Sequence, residues 1–390
     1  SMAPLIREIV ALPAPAKARK SLDIFLAERT RRWNLCPWYP LLLWLFSGRA
    51  FRAADFHFPP VTDSAVQWQR YLMIVPKDRS QRPAIENLLI PAFAVTDHLA
   101  VYYSLVYRST YVFNFLFAAI AVGLALGEFF IREDPAAKSD LVVAELLVIS
   151  AILITWFSGY RKELHRRWLD YRRLAECLRH MRILSPMGAA GPVDRPGRSL
   201  DMDEEDWVDW YARSLRRALP LPDRVVDAPY LAAMREAVCS TELASQIQYH
   251  AENADRIAKL DARMHHSGQI LFAITAAICV VFLCLQWFSW LPSEPSKRVL
   301  VLATFSFLTA LLPTFGAALG AIHAQGDFRT VAERSKRTAR RLAALAKILT
   351  EEPLTFGRLT DRIVKASDIM IADLLEWQTV FRTRPLSLPA

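Results

Sequence analysis

Four long apolar runs dominate the pattern of hydrophobic and polar positions along the chain. They cover residues 111–131, 141–160, 268–291 and 299–322, and polar segments separate them. A helix needs about 20 apolar residues to cross a bilayer, so each run is predicted to span a membrane. The loops within the first pair and within the second pair are short, which predicts two antiparallel helical hairpins.

Lys and Arg residues collect at one end of the predicted hairpins. Arg161 and Lys162 follow the second run, and Arg329 and Arg334 follow the fourth, whereas the tip loops mix basic with acidic residues. Basic flanks stay on the cytoplasmic side. We therefore expect a bacterial inner (plasma) membrane location, both termini in the cytoplasm, and a first span that acts as an uncleaved signal anchor. The same residues are expected to contact anionic lipid headgroups.

The two halves of the chain match each other at an almost constant offset. Up to the first tip the offset is 158, as for Asp97 and Asp255, and beyond the tip it is 157. The string D-[YF]-R-x-[LV]-A-E occurs at 170–176 and again at 327–333. A copied pair of spans keeps its orientation, so we expect parallel repeats related by an axis along the membrane normal.

Amphipathic helical periodicity continues beyond the spans, from Gly159 to about Leu184 and from Gly316 to about Leu349. The predicted fold is an all-α integral membrane protein with two parallel-repeat transmembrane helical hairpins (four spans) and long cytoplasmic helical extensions. The predicted segments are an N-terminal cytoplasmic or interfacial region (1–84), a first hairpin repeat (85–184), a linker with an amphipathic helix (185–227), a second hairpin repeat (228–350), and a C-terminal helix and tail (351–390).

Two shorter segments carry aromatic residues outside the spans. Residues 36–46 are apolar but too few to cross a bilayer, and their Trp and Tyr fit either an interfacial segment or a buried helix. Residues 203–218 predict an amphipathic helix whose acidic start, at 204–206, complements the helix dipole. Its aromatic residues, among them Trp207, are expected to dock on the cytoplasmic helices.

Small and polar residues form two stripes within the predicted spans. In the first span a small residue recurs every four positions, which predicts a close helix-packing face: Ala119, Gly123 and Gly127. In the fourth span small and polar residues recur at spacings of three and four: Ser306, Thr309, Pro313, Gly316 and Gly320. This second stripe is interpreted either as the lining of a narrow water-filled path or as a packing face with hydroxyls bonded to backbone carbonyls.

Charged residues at two further places have two interpretations each. Glu145 lies near the outer end of the second span, where it either sits at a pore mouth or reaches the interface. The repeated string supplies acids beside arginines outside the membrane, which form either ion pairs between cytoplasmic helices or an ion vestibule. These residues are Asp170, Arg172, Glu176, Asp327, Arg329 and Glu333.

Motifs of enzyme chemistry are missing from the sequence. There is no Walker A loop, no G-x-S-x-G elbow and no H-E-x-x-H pair. His265 and His266 are adjacent, so a helix points them in different directions, and the five cysteines show no C-x-x-C spacing. We expect no enzyme activity, no cofactor and no metal site. The net charge of +9 follows the membrane edge, which disfavours nucleic-acid binding.

With these strings laid out, residues 85–385 resemble the SLATT family of prokaryotic two-transmembrane effector modules, here as a tandem duplication. The resemblance rests on the hairpins, on the repeated string, and on residues 206–222 and 246–256, which look like linkers from chains with a SLOG-type sensor. It implies a pore-forming or membrane-perturbing effector in conflict or stress signalling. It also implies a SLOG-type nucleotide-sensing domain or partner, although the N-terminal region lacks the glycine-rich loop of such a sensor.

Residues and resemblance together predict a homo-oligomeric channel or permeabilising effector that is gated through its cytoplasmic helices. The fourth span is then the best candidate for the pore lining. The alternative is a non-conducting membrane scaffold or signal transducer associated with a nucleotide-sensing domain. A transporter built from parallel repeats is a further interpretation.

Overall fold

The computed structural model describes residues 16–131, 135–189, 207–382, 386 and 388. Within these ranges the chain is helical between its connecting loops and has no β-strand. The predicted tip residues at 132–134 and the acidic start of the linker helix at 204–206 lie outside the described residues. The helices are α1 (Ala16–Leu26), α2 (Trp38–Ser47), α3 (Val61–Ile74), α4 (Gln81–Phe130), α5 (Pro135–Arg161), α6 (Leu164–Leu184), α7 (Trp207–Ala218), α8 (Ala228–Trp287), α9 (Pro295–Gly326), α10 (Phe328–Glu351) and α11 (Phe356–Arg382).

The four predicted spans are confirmed as helices that are long and apolar enough to cross a membrane. They lie in α4, α5, α8 and α9. Only 22% of the most apolar window of α4 and 6% of that of α5 is buried inside the chain, and none of those in α8 and α9 is. Apolar surface of this extent needs lipid or another protein around it rather than water.

The four apolar helices pack side by side as a row in the order α5, α4, α9, α8. The hairpin α4–α5 and the hairpin α8–α9 each pack internally, and α4 and α9 join the two hairpins. Because the row is open, α5 and α8 lie at its ends, each with one flank free of the other hairpin. We call this arrangement the helix row.

The remaining helices form a body at the end of the row opposite the hairpin tips. There α6 packs back on α4, and α10 packs back on α8. Helix α2, which covers most of the apolar run 36–46, packs between α4 and α8; its Leu42 and Phe46 are buried, while Trp44 and Leu45 stay exposed. Buried side chains from all the predicted segments, from Leu22 to Phe381, belong to one continuous hydrophobic core.

A single non-glycine residue with positive φ ends the return helix of each hairpin. Glu163 (φ 48°) separates α5 from α6, and Asp327 (φ 43°) separates α9 from α10. The ranges 159–184 and 316–349, over which the sequence predicts continued helical periodicity, are helical but are each divided into two helices at these residues. A left-handed residue reverses the local course of the backbone, which lets the next helix lean back onto the first helix of its own hairpin.

One buried ion pair ties the two halves of the body together. Arg182 of α6 donates a hydrogen bond to the carboxylate of Glu242 in α8, and the two residues are only 4% and 1% exposed. Glu242 lies in a π-helical segment, Val238–Leu243, and a second π segment, Ile85–Leu89, lies near the start of α4. The Arg182 guanidinium also stacks on the Trp68 ring of α3 at 4.7 Å.

We expect Glu242→Gln to lower the free energy of unfolding by about 3–5 kcal/mol, because it leaves the Arg182 charge buried without its counter-ion. The measurement is chemical unfolding of the detergent-solubilised protein. Glu236→Gln is the matched control, since Glu236 lies on the same helix and is exposed; it should change stability by less than about 0.5 kcal/mol. Equal stability of the two variants would contradict a structural role for the pair.

Candidate functional site

A cavity of about 520 Å³ lies between the halves of the body, next to the end of the helix row that joins the body. We refer to this end as the inner end of the row. The cavity walls come from α2, α4, α6, α8, α10 and α11, so both halves of the chain enclose it. We call it the inner cavity. Charged and aromatic side chains make up much of its lining: Tyr39, Arg49, Asp55, Arg108, Trp168, Arg172, Glu176, Tyr249, His250, Arg256, Phe328, Arg334, Asp373 and Phe381.

Three ion pairs neutralise part of this charge. Arg49 pairs with Asp55 in the segment that follows α2. On α6, the Arg172 Nη2 lies 2.6 Å from a Glu176 carboxylate oxygen, one helical turn away. Across the cavity, Nε of Arg334 on α10 lies 3.2 Å from Oδ1 of Asp373 on α11.

The Glu176 carboxylate is held in its charged form. Burial by itself would raise its pKa, but the guanidinium groups of Arg172 and Arg179 outweigh burial and hold the pKa of Glu176 at about 2. Arg179 bonds the same carboxylate at 3.0 Å and lies 3.9 Å from Asp97 on α4. The acid therefore organises a charge cluster that links α6 to the first helix of its hairpin.

His250 is the buried neutral group of the cavity. Burial lowers its pKa below the ordinary value of 6.5, although the Asp373 carboxylate opposes the shift. The side chain is 8% exposed, and its Nδ1 has no hydrogen-bond partner. An imidazole in this state offers one N–H donor and one acceptor to whatever occupies the space.

The repeated string lies in different surroundings in the two halves. In the first half it lies inside α6, where Asp170 accepts a hydrogen bond from the Trp207 Nε1 at 3.0 Å and Glu176 is buried. In the second half Asp327 is the helix break itself, and Arg329 pairs with Glu333 on the surface at 3.2 Å. Asp170 stands seven residues after the break at Glu163, so the break has moved by seven residues relative to the string.

The stripe predicted in the fourth span lies on the outside of the chain. Ser306 and Gly320 are exposed, and Thr309, Pro313 and Gly316 are half-buried. A Cβ added at Gly316 or Gly320 would meet nothing within 4 Å. The Thr309 hydroxyl donates to the backbone carbonyls of Phe305 and Ser306 at 2.8 and 3.2 Å. Among the described residues, no other helix packs directly against the two glycines.

The stripe predicted in the first span lies within the helix row. Ala119 is 1% exposed. A Cβ at Gly123 would come within 3.0 Å of the Leu311 Cδ1 on α9, which makes Gly123 the closest approach between the hairpins that a glycine provides. A Cβ added at Gly127 would lie 3.6 Å from the Leu141 Cδ1 on α5. The stripe thus contacts α9 of the other hairpin at Gly123 and α5 of its own hairpin at Gly127.

Two polar groups within the first hairpin differ in their partners. Asn114 of α4 is buried and accepts a hydrogen bond from the Thr155 hydroxyl of α5 at 2.7 Å. Glu145 of α5 is half-buried, and no described residue forms a hydrogen bond or ion pair with it. It stands apart from the stripe on α9, because α4 lies between the two helices.

Sequence reasoning missed the inner cavity as a site. Arg108 and Arg256 belong to the basic residues that precede the first and third spans, and Asp373 lies in the predicted C-terminal helix, but neither feature indicates a site. Their meeting depends on helices more than 100 residues apart, as between Arg108 and Asp373. The available signal is that Arg108 and Arg256 both precede an apolar run, at 3 and 12 residues before the first and third spans.

No protein-family model, curated protein or solved structure matches this chain. The SLATT resemblance therefore stays an expectation carried by the sequence strings. Among the described residues, no group of three or more His, Cys, Asp or Glu side chains is arranged to hold a metal ion.

We expect Glu176→Gln to destabilise the protein by about 3 kcal/mol near neutral pH, because it removes a buried carboxylate whose folded pKa is depressed. A depressed pKa contributes stability above the unfolded value of 4.5 that disappears as the pH falls toward 2. The difference in unfolding free energy between wild type and variant should therefore become smaller as the pH falls through that range. Chemical unfolding in detergent at several pH values measures this difference.

Glu333→Gln is the matched control for this pH experiment, since Glu333 is the corresponding acid of the second string and is exposed. Its unfolding free energy should differ little from that of wild type at every pH. A Glu176→Gln difference that stays constant down to about pH 3 would contradict the depressed pKa.

Proposed function

We propose that this chain is one subunit of a homo-oligomeric membrane channel or permeabilising effector that is gated through its inner helices. The observation that supports it best is the stripe on α9. Small and polar residues occupy a face of an apolar helix that no other part of the described chain covers at Gly316 and Gly320. Such a face suits a narrow water-filled path between subunits.

The proposal includes an origin by duplication, with parallel hairpins and both termini in the cytoplasm of a bacterial cell. Residues at corresponding positions of the two halves support it. Tyr171 packs edge to face against Tyr103, with ring centroids 5.3 Å apart. Their counterparts Phe328 and Asp261 both contact His323, which lies against the Phe328 ring and pairs with Asp261 at 2.6 Å. Asp261 follows Tyr103 by 158 residues, and Phe328 follows Tyr171 by 157.

A row of four helices encloses no path, so conduction requires several chains. The contact between α4 and α9 joins the first helix of one hairpin to the second helix of the other. Contacts of this head-to-tail kind generate rings when the rotation closes. The same contact between chains would join the free flank of α8 to the free flank of α5 in the next copy.

The offsets of 158 and 157 residues between the two halves identify which residues would form this contact between subunits. Gly123 on α4 corresponds to Val281 on α8, and Leu311 on α9 corresponds to Ile154 on α5. Val281 and Ile154 are 51% and 67% exposed in the single chain. They are therefore free to meet in a second copy, as Gly123 and Leu311 meet within the chain.

A non-conducting scaffold or signal transducer is the second candidate. The observation that favours it is the bonding of the Thr309 hydroxyl to the carbonyls of its own helix, which is the state expected of a packing face. In both readings the basic inner flanks contact anionic lipid headgroups, and a SLOG-type nucleotide-sensing domain or protein is the proposed source of the signal.

We expect purified protein in liposomes to conduct ions, and Gly316→Leu and Thr309→Val to reduce this flux to the background of empty liposomes. The reason is that both changes remove space or polarity from the proposed lining. Ala321→Leu and Thr314→Val are the matched controls, because these residues lie about 100° or more around the same helix from Gly320, which is at the angular middle of the stripe. They should keep most of the flux.

If the Gly316→Leu variant conducts as well as wild type, the ion path does not run along this face of α9. A protein that is folded, oligomeric and silent in liposomes would favour the scaffold. Each result is read only from samples whose thermal unfolding matches wild type.

We expect Ile154→Cys in one chain and Val281→Cys in another to be joined by a short bis-maleimide when the two chains are co-expressed without native cysteines. The reason is the head-to-tail contact, which brings these positions together between copies. Gel mobility of chains with different tags measures the product. Gly123→Cys with Leu311→Cys in one chain is the positive control, because those positions touch within the chain.

Leu153→Cys paired with Val281→Cys is the negative control, since Leu153 is exposed but lies about 100° around α5 from Ile154. Equal cross-linking of Leu153→Cys and Ile154→Cys would indicate random collision. Oligomers without the Ile154–Val281 product would exclude the proposed contact.

A further inference from the structure

The inner cavity carries more positive charge than its own carboxylates neutralise. Five arginines and three carboxylates line it, and the three ion pairs described above account for all three carboxylates. Arg108 and Arg256 remain, and no described carboxylate lies within ion-pair distance of either guanidinium. Two uncompensated cations in a partly enclosed pocket favour an anionic occupant.

Arg108 is held in place by aromatic rings. Its guanidinium carbon lies 5.0 Å from the centroid of the Tyr39 ring and 5.1 Å from that of Trp168. Contacts with two ring faces restrain a long side chain without using its N–H donors. The donors therefore stay available to a ligand, and the same rings supply apolar walls.

Arg256 and His250 supply further donors on α8. The Arg256 Nη2 donates to the Asn253 Oδ1 at 3.1 Å, but its Nε is buried and has no acceptor. His250, which is more than nine-tenths buried, leaves its Nδ1 unpartnered in the same wall. A buried donor without an acceptor destabilises the protein, so an occupant with acceptor oxygens would stabilise the site.

We propose that the inner cavity binds a phosphate-bearing anion through Arg108, Arg256 and His250. Guanidinium groups match the oxygens of phosphate in charge and geometry, and a doubly charged phosphate balances both free arginines. A volume of about 520 Å³ leaves room for an organic body against the aromatic walls. A soluble phosphate compound and a phospholipid headgroup share this chemistry.

The position of the site gives the ligand a regulatory role. Arg108 lies on α4 and Arg256 on α8, each shortly before the apolar segment of its helix. An anion that bridges them fixes the spacing of the two hairpins at the inner end of the row. This role rests on the proposed channel function, whereas binding itself does not.

The test uses the full chain in neutral detergent, titrated with inorganic pyrophosphate at constant ionic strength against potassium chloride. Thermal unfolding and Trp fluorescence are recorded, since Trp168 lines the cavity. We expect saturable stabilisation of wild type and of Arg256→Lys, at least about tenfold weaker apparent affinity in Arg256→Gln and Arg108→Gln, and no change in Arg329→Gln. Arg329 is an exposed arginine outside the cavity.

A second arm separates the two sources of phosphate. The same proteins are placed in vesicles of phosphatidylcholine alone or with phosphatidylglycerol. Stabilisation by pyrophosphate in both vesicle types assigns the site to a soluble ligand, whereas stabilisation only by phosphatidylglycerol, lost in Arg256→Gln, assigns it to a lipid headgroup.

Two outcomes overturn the proposal. One is wild type that neither pyrophosphate nor phosphatidylglycerol stabilises. The other is an equal response of Arg256→Gln and Arg329→Gln, which would indicate non-specific surface attraction. Binding is measured independently of ion flux, so the two proposals can fail separately. A protein that binds pyrophosphate but does not conduct would contradict the channel function alone. A protein that conducts but does not bind would contradict the anion site alone.

Discussion

Two unbroken helices, α4 and α8, constrain everything else in this molecule. Each runs from the body through an apolar segment to a hairpin tip. In the bilayer a helix satisfies its own backbone groups, so these rods need no loop where they enter the lipid. The side chains that line the inner cavity on α4 and α8 therefore belong to the same rigid elements as the spans, and a shift at the cavity reaches the row without an intervening hinge.

The two environments of the chain explain its uneven burial. The body closes one core around Leu174, Leu260 and Leu342, none of which is exposed at all. Within the row, by contrast, helices touch along narrow seams, and large apolar side chains such as Phe272 face outward. Lipid removes the hydrophobic penalty for such exposure, so close approach of small residues, as at Gly123, decides which helices adjoin.

Local patterns predicted the helices well because they depend on runs of apolar residues and on short tips. The same patterns could not predict the breaks at Glu163 and Asp327, since a positive φ is uncommon for glutamate and occurs in only a minority of aspartates. Nor could the repeated string predict its different surroundings in the two halves. Glu176 is buried among arginines, whereas Glu333 stands in solvent. The inner cavity depends on side chains from distant helices, and their meeting follows from packing rather than from spacing along the chain.

The different positions of the helix breaks limit how the return helices of the hairpins, which we call their arms, can change in length. Relative to the shared string, the break sits seven residues earlier in the first half than in the second. Seven residues make almost two full turns, so the string still presents nearly the same side to its partner, about 20° away. Evolution can therefore trim or extend these arms in steps of two turns, whereas a step of five residues would swing the cluster around Glu176 by about 140° and away from Asp97.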